Sequence, residues 1–348
     1  MNYVGRRDAN LDLLRAAAIS LVLLHHVAQY VENLPPLAHR FTSIGAYGVD
    51  LFFVLSGFLI GTLFFRELQV SGTVSLIRFW GRRGLRTLPL YYVSLALAYA
   101  AVFAARKQPF ESAYLVFAQN YFVSMPFFLV SWSLCVEEHF YFFAPALLLL
   151  FSKARIPLGL VFLCFAFTPF ALRLIDPSAS PETGFGYAQT ATHLRFEGLL
   201  FGVSIAYLRS IRERFWASAK AFARRTYLLS LVTVLTVPFW SESLIYYVGY
   251  LWVSFTFALT LVALVDEKPM AMATFTATTK VAAWSYSIYL THALVIHGCV
   301  WLTDQYQLAR SATTPLWFAA IALTGYLVHR LIEQPSLRFR ERVVPRGN

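Results

Sequence analysis

Leu11-Asp-Leu-Leu-Arg-Ala-Ala-Ala-Ile-Ser-Leu-Val-Leu-Leu-His-His-Val-Ala-Gln-Tyr30 is the stretch on which the fold turns. An α-helix needs roughly 20 predominantly apolar residues to cross about 30 Å of hydrocarbon. This segment has that length, and Asp12, Arg15, His25 and His26 stand within its apolar run. Basic residues precede it, as in a signal peptide, but no small-residue cleavage site follows. It is read as a retained membrane helix.

The rest of the chain repeats the pattern. Of 348 residues, 58% are hydrophobic and 14% charged, with a mean hydropathy of +0.58. Soluble domains carry about 25% charged residues, so this surplus of apolar side chains belongs in lipid. About ten spans follow, near 11–30, 47–65, 86–105, 131–151, 156–174, 194–208, 226–240, 244–264, 281–301 and 315–333. With the N-terminus cytoplasmic, all but Arg40, Arg106, Lys107, Arg173, Arg195 and Arg310 of the 29 Lys and Arg fall on the inner side. That asymmetry is the positive-inside rule. It accounts for the net charge of +11 without nucleic acid. The expected fold is all-α: a polytopic protein of about ten transmembrane helices, both termini cytoplasmic, with residues 1–348 forming a single membrane domain. Cys135, Cys164 and Cys299 have no zinc-ligand spacing, and no metal is expected.

Ionisable side chains inside spans are costly and mark function. Arg15 and His26 are eleven residues apart, about three turns plus 20°, so they share one face roughly 16 Å apart along the axis. His25 points elsewhere and reads as structural. In Ser131-Trp-Ser-Leu-Cys-Val-Glu-Glu-His-Phe-Tyr141, the residues Ser133, Glu137 and Tyr141 share a face. Glu137 and His26 lie at similar depths from the outer boundary. A carboxylate beside an imidazole would raise its basicity and fix its tautomer, as a general base requires. Asp50 stands at the outer end of the second span, with the small residues Ser56 and Gly57 near its middle. They permit close helix packing or passage of a thin ligand. Arg78, Arg82, Arg83 and Arg86 precede the third span at spacings that suit one helical face. They fit lipid headgroups or a phosphate-bearing cofactor. Tyr289 and His292 share a face in the ninth span. Glu333 is expected to pair with nearby arginines, and the proline of Glu333-Gln-Pro335 to stop the last helix.

Together these blocks resemble acyltransferase family 3, integral-membrane enzymes that O-acylate surface polysaccharides, lipids and small metabolites. The resemblance runs through Leu11-Asp-Leu-Leu-Arg15 with His26, Gly48-Val-Asp50 with Ser56-Gly57, and Arg82-Arg83 with Arg86 and Pro89. It continues in Trp132-Ser-Leu with Glu137 and Tyr141, Arg195 with Glu197, Tyr289 with His292, and Glu333 with Pro335. It implies an acetyl-CoA or other acyl-CoA donor entering from the cytoplasm, and His26 as the catalytic histidine; the shared depth of Glu137 makes that carboxylate its expected catalytic partner. Arg15, Arg82, Arg83, Arg86, Ser56 and Gly57 are expected along the donor. Asp50, Trp132, Ser133, Tyr141, Tyr289 and His292 are expected near an extracytoplasmic hydroxyl acceptor. A glycan is the leading acceptor, with a lipid-linked sugar or an antibiotic-like molecule as others, and a bacterial inner or plasma membrane is the expected location. The competing reading is a secondary transporter with a midplane substrate or proton site, although no paired halves are visible.

Overall fold

The computed structural model describes residues 8–107, 109–122, 125–176 and 186–345. Arg6, Arg7, Arg346 and positions 177–185 of the loop after the fifth expected span lie outside them. Among the described residues all regular structure is helical, with no strand. The principal helices are α1 (Ala9–Ala28), α2 (Gly48–Ser71), α3 (Leu76–Arg106), α4 (Trp132–Lys153), α5 (Leu158–Ala166) and α6 (Thr168–Ile175). They continue as α7 (Glu197–Ile211), α8 (Glu213–Val234), α9 (Tyr250–Leu264), α10 (Thr276–Gln305), α11 (Arg310–Val328) and α12 (Gln334–Val343).

Seven helical stretches among the described residues are long and apolar enough to cross a bilayer, α5 and α6 counting as one. The chain is a multi-pass membrane protein. Three expected spans correspond to helices outside that set. Helix α7 has 15 residues, short for the hydrocarbon thickness. Helix α8 carries Arg214, Lys220, Arg224 and Arg225. Helix α10 is 30 residues long but rich in Ser, Thr and His.

Local chemistry moves two boundaries. Helix α3 begins ten residues before its apolar run. Gly72 ends α2 at φ 69°, and Ser75 caps α3 by accepting from the Arg78 N–H. Glu67 accepts from the Ser75 N–H at 2.8 Å and from Arg78 at 2.6 Å. The arginine block is therefore helical. At the other end, Pro335 does not stop the last helix. A π-turn over His329–Glu333 separates α11 from α12, and Pro335 sits in the first turn of α12, where its missing N–H is tolerated.

Helices α2 and α7 meet backbone to backbone. A Cβ on Gly57 would overlap the Leu199 carbonyl, and one on Gly202 the Val54 carbonyl and the Phe58 N–H. Gly57 thus serves close helix packing, and it does not line the cavity described below. Beside this contact lie two buried ion pairs. Asp50 meets Arg195 at 2.9 Å, with side chains 2% and 4% exposed, and Arg173 meets Glu197 at 2.9 Å. The Arg195 guanidinium also lies over the rings of Tyr250 (3.7 Å) and Trp132 (4.9 Å). Charges in such surroundings persist only when paired.

Two consequences follow for stability. Gly202→Val should abolish the monodisperse peak in detergent size-exclusion chromatography, whereas Gly159→Val, with nothing within 4 Å of its Cβ position, should leave it intact. Asp50→Asn should cost about 3–5 kcal/mol by stranding a buried guanidinium. Thermal unfolding of the purified protein would register this, and the double variant Asp50→Asn/Arg195→Gln should recover part of the loss.

Candidate active site

A narrow cavity of about 90 Å³ opens between five helices. Helix α1 contributes Arg15, α2 Ser56, α3 Arg83 and Arg86, α4 Ser133 and Glu137, and α10 Tyr289. Spacing explains the collection. Residues three or four apart share a helical face, so Arg83 with Arg86, and Ser133 with Glu137, point the same way. Thr87, Ser285 and Tyr286 complete the polar wall. Neither Thr87 nor Tyr286 is among the expected site residues, although Tyr286 donates to the Thr87 carbonyl at 2.8 Å.

The arginines separate by direction. Arg83 lies 3.7 Å over the Tyr141 ring and 3.5 Å from Glu137. Tyr141 donates in turn to Glu137 in a short hydrogen bond. Arg15 is paired with Asp12 at 2.9 Å. Arg86 has no carboxylate within ion-pair distance among the described residues; the like charges of Arg83 and Arg15 act on it, with Glu333 acting more weakly in the opposite sense. This wall is electropositive, with Arg86 available to an anion. Arg82 and Arg78 turn away, contrary to the expected common face. Arg82 binds Glu341 of α12 at 2.7 Å and the Val344 carbonyl, and Arg78 binds Glu67. Hydrogen bonding by Arg82 holds the Glu341 carboxyl below the usual carboxylate range, so it is ionised at neutral pH.

The expected meeting of His26 with Glu137 does not occur. Helix α1 packs against α10 and α2, and the ring facing His26 is His292, with centroids 4.8 Å apart. Glu137 is held by Arg83 and Tyr141 instead. The His26 Nδ1 lies 2.9 Å from the Val22 carbonyl. A carbonyl only accepts, so Nδ1 carries the proton and Nε2 the lone pair. The backbone, not a carboxylate, fixes the tautomer. His25 Nε2 is engaged by Gln29 at 2.9 Å.

Between cavity and imidazoles stands Tyr289. Its hydroxyl is 2.6 Å from Ser133 Oγ and donates to the Val130 carbonyl at 3.0 Å, and its ring centroid is 5.7 Å from that of His292. His292 itself is fully buried and lines no part of the cavity. Asp50 and Trp132, expected at an acceptor, belong to the Arg195 cluster. Glu333, expected to pair with arginines, accepts from His329 Nδ1 at 2.8 Å and Ser287 Oγ at 2.6 Å. A larger cavity, about 450 Å³, lies between α4, α5 and α7. It is walled mainly by Phe and Leu, its only polar members being Tyr121, His139, Thr192 and His193. Among the described residues it holds no carboxylate or guanidinium and touches neither His26 nor Glu137, so size does not make it the chemical centre.

Residues 8–331 match the model of an acyltransferase domain family, acyltransferase family 3. Among curated proteins, the chain is 31% identical over 218 residues to a Staphylococcus aureus (strain COL) protein whose name assigns O-acetyltransferase activity only provisionally, covering 57% of this chain and 34% of that one. It is 29% identical over 171 residues to the peptidoglycan O-acetyltransferase OatA of Listeria monocytogenes, covering 43% and 26%. It is 23% identical over 364 residues to the O-acetyltransferase OatA of Staphylococcus aureus (strain NCTC 8325 / PS 47), covering 96% and 58%. The chain thus spans between about a quarter and about three-fifths of these relatives' lengths. No solved structure matches. The family model covers almost the whole chain, including every helix that contributes to the arginine cavity and both imidazoles beyond it, and the chain therefore belongs to acyltransferase family 3.

Proposed function

We propose that this chain is a membrane O-acyltransferase that moves an acyl group, of which acetyl is the leading choice, from acyl-CoA at the cytoplasmic face to a hydroxyl of an extracytoplasmic carbohydrate. The orientation is that of ten spans with both termini inside, in a bacterial inner or plasma membrane. One observation carries the reading: beyond the three-arginine cavity, which Tyr289 lines, the rings of Tyr289, His292 and His26 follow one another, with centroids 5.7 and 4.8 Å apart. Family membership favours chemistry over the transporter reading, and the OatA relatives are named for O-acetylation, one of them of peptidoglycan.

In this reading Arg86, with Arg15 and Arg83, holds the anionic part of the donor, since guanidinium forks suit phosphate. The cavity's narrow bore suits only a thin arm, and the hydrogen-bonded Tyr289–Ser133 pair must part for it to pass. His26 removes the acceptor's proton through Nε2 as the oxygen attacks the thioester carbon. Glu137 acts at one remove, neutralising Arg83 and holding Tyr141 at the cavity wall.

Purified protein in detergent, supplied with acetyl-CoA and soluble peptidoglycan fragments, should release coenzyme A thiol. His26→Ala should lose this activity while eluting normally. Arg86→Gln should raise the KM for acetyl-CoA by at least about tenfold, the loss of one charge-assisted contact. Full activity in the His26 variant would refute the assignment.

A further inference from the structure

We infer that the larger cavity, between α4, α5 and α7, binds one hydrocarbon chain of a neutral membrane lipid, whose hydroxyl-bearing head rests beside His139, Thr192 and His193. The inference is independent of the acyl-transfer reading.

The cavity holds about 450 Å³, within the range of ligand pockets, roughly 300–1,000 Å³. An apolar cavity of about 150 Å³ already stays dry and takes up benzene. Walls of this extent gain dispersion contacts only from an occupant that reaches them. Water finds no hydrogen-bond partner along walls made of Phe, Leu, Val and Ala. A hydrocarbon chain needs none.

The polarity of the lining runs one way. On α4, His139 is followed by Phe140, Phe143, Leu147 and Phe151, about 18 Å of helix rise from first to last. On the α7 side, Thr192 and His193 precede Phe196, Leu200 and Val203. His139 Nδ1 lies 2.7 Å from Thr192 Oγ1, which brings the two polar beginnings together. The cavity is also open at its side. Phe143 and Leu147 of α4 and Phe165 of α5 line it and are nevertheless exposed. Both helices belong to stretches long and apolar enough to cross a bilayer, so this opening faces lipid. A chain enters there without crossing water.

The polar end selects the head. Tyr187 donates to Asp176 at 3.0 Å and lies 3.3 Å from His193 Nε2, and the Tyr121 ring stacks on the His193 ring, centroids 5.9 Å apart. Imidazoles, phenols and hydroxyls both give and accept hydrogen bonds, as the hydroxyls of a sugar or glycerol head do. A phosphate head would meet no Lys or Arg among the described lining residues. It would meet the Asp176 carboxylate, 3.7 Å from His193. Arg173 is buried against Glu197 and lines no part of the cavity. The charge pattern therefore favours a neutral head.

The test uses the full chain in phosphatidylcholine nanodiscs containing a glucosyl diacylglycerol with a diazirine in one acyl chain. Irradiation and peptide mapping should concentrate the label within residues 140–165, and excess unlabelled glucosyl diacylglycerol should displace it. Phosphatidylglycerol with the same chains should compete at least about tenfold less well. Ala144→Trp, which places an indole in the cavity, should cut this label at least about tenfold at equal amounts of monodisperse protein. Background label at Leu323, exposed on α11, should not change. Label spread evenly over the exposed helices, equal displacement by the two lipids, or undiminished label in the folded Trp variant overturns the proposal. Should that variant misfold, the wild-type map and its competition decide alone.

Discussion

A charge carried into hydrocarbon must find a partner or a ligand, and that constraint organises this protein. Asp50 takes Arg195, Arg173 takes Glu197, Arg83 takes Glu137, and His329 takes Glu333. Each pair joins separate segments of the chain or spans the π-turn, so electrostatics and packing reinforce one another. Such pairs are weak evidence of net stabilisation, yet each is strongly destabilising to break. They make the helix arrangement unforgiving, which is what a site assembled from five separate helices requires. Arg86 departs from the rule: it faces the cavity, without a carboxylate of its own among the described residues.

The pairing also separates the polar residues into two populations that one sequence cannot tell apart. Hydropathy located the helices, and periodicity correctly placed Arg15 and His26 on one helix, Ser133 and Glu137 on another. Periodicity gives a face, however, and not the neighbour that face meets. His26 and Glu137 were matched by depth alone. Helix α10 stands beside α1, and His292 occupies the place reasoned for the carboxylate. The start of α3 escaped for a related reason. Its first turns are arginine-rich, so an apolar window passes over them, although Gly72 and Ser75 are recognisable stop and start signals. Pro335 misled because a π-turn, invisible to periodicity, absorbs its missing donor.

The replacement of a carboxylate by a carbonyl at His26 has chemical meaning. A buried carboxylate would stabilise an imidazolium strongly and tend to keep the ring protonated. The Val22 carbonyl fixes the tautomer more gently and leaves Nε2 free to receive a proton. Glu137 is thereby released to balance Arg83. With Arg15 also matched by Asp12, the cavity's unbalanced positive charge is concentrated at Arg86. An anion would therefore be drawn to one point of the wall and not along its whole length.

The same economy of charge extends to the end of the described chain. Arg82 neighbours Arg83 in sequence, yet 100° of helical rotation turns it from the cavity to α12, where Glu341 and the Val344 carbonyl receive it. Helix α12 carries Arg338, Arg340 and Arg342, while Phe339 and Val343 remain exposed. That mixture suits a helix lying in the headgroup region. The Arg82–Glu341 contact therefore fastens α12 along the arginine-bearing turns of α3. Because Glu341 is ionised at neutral pH, the fastening is itself a charge pair.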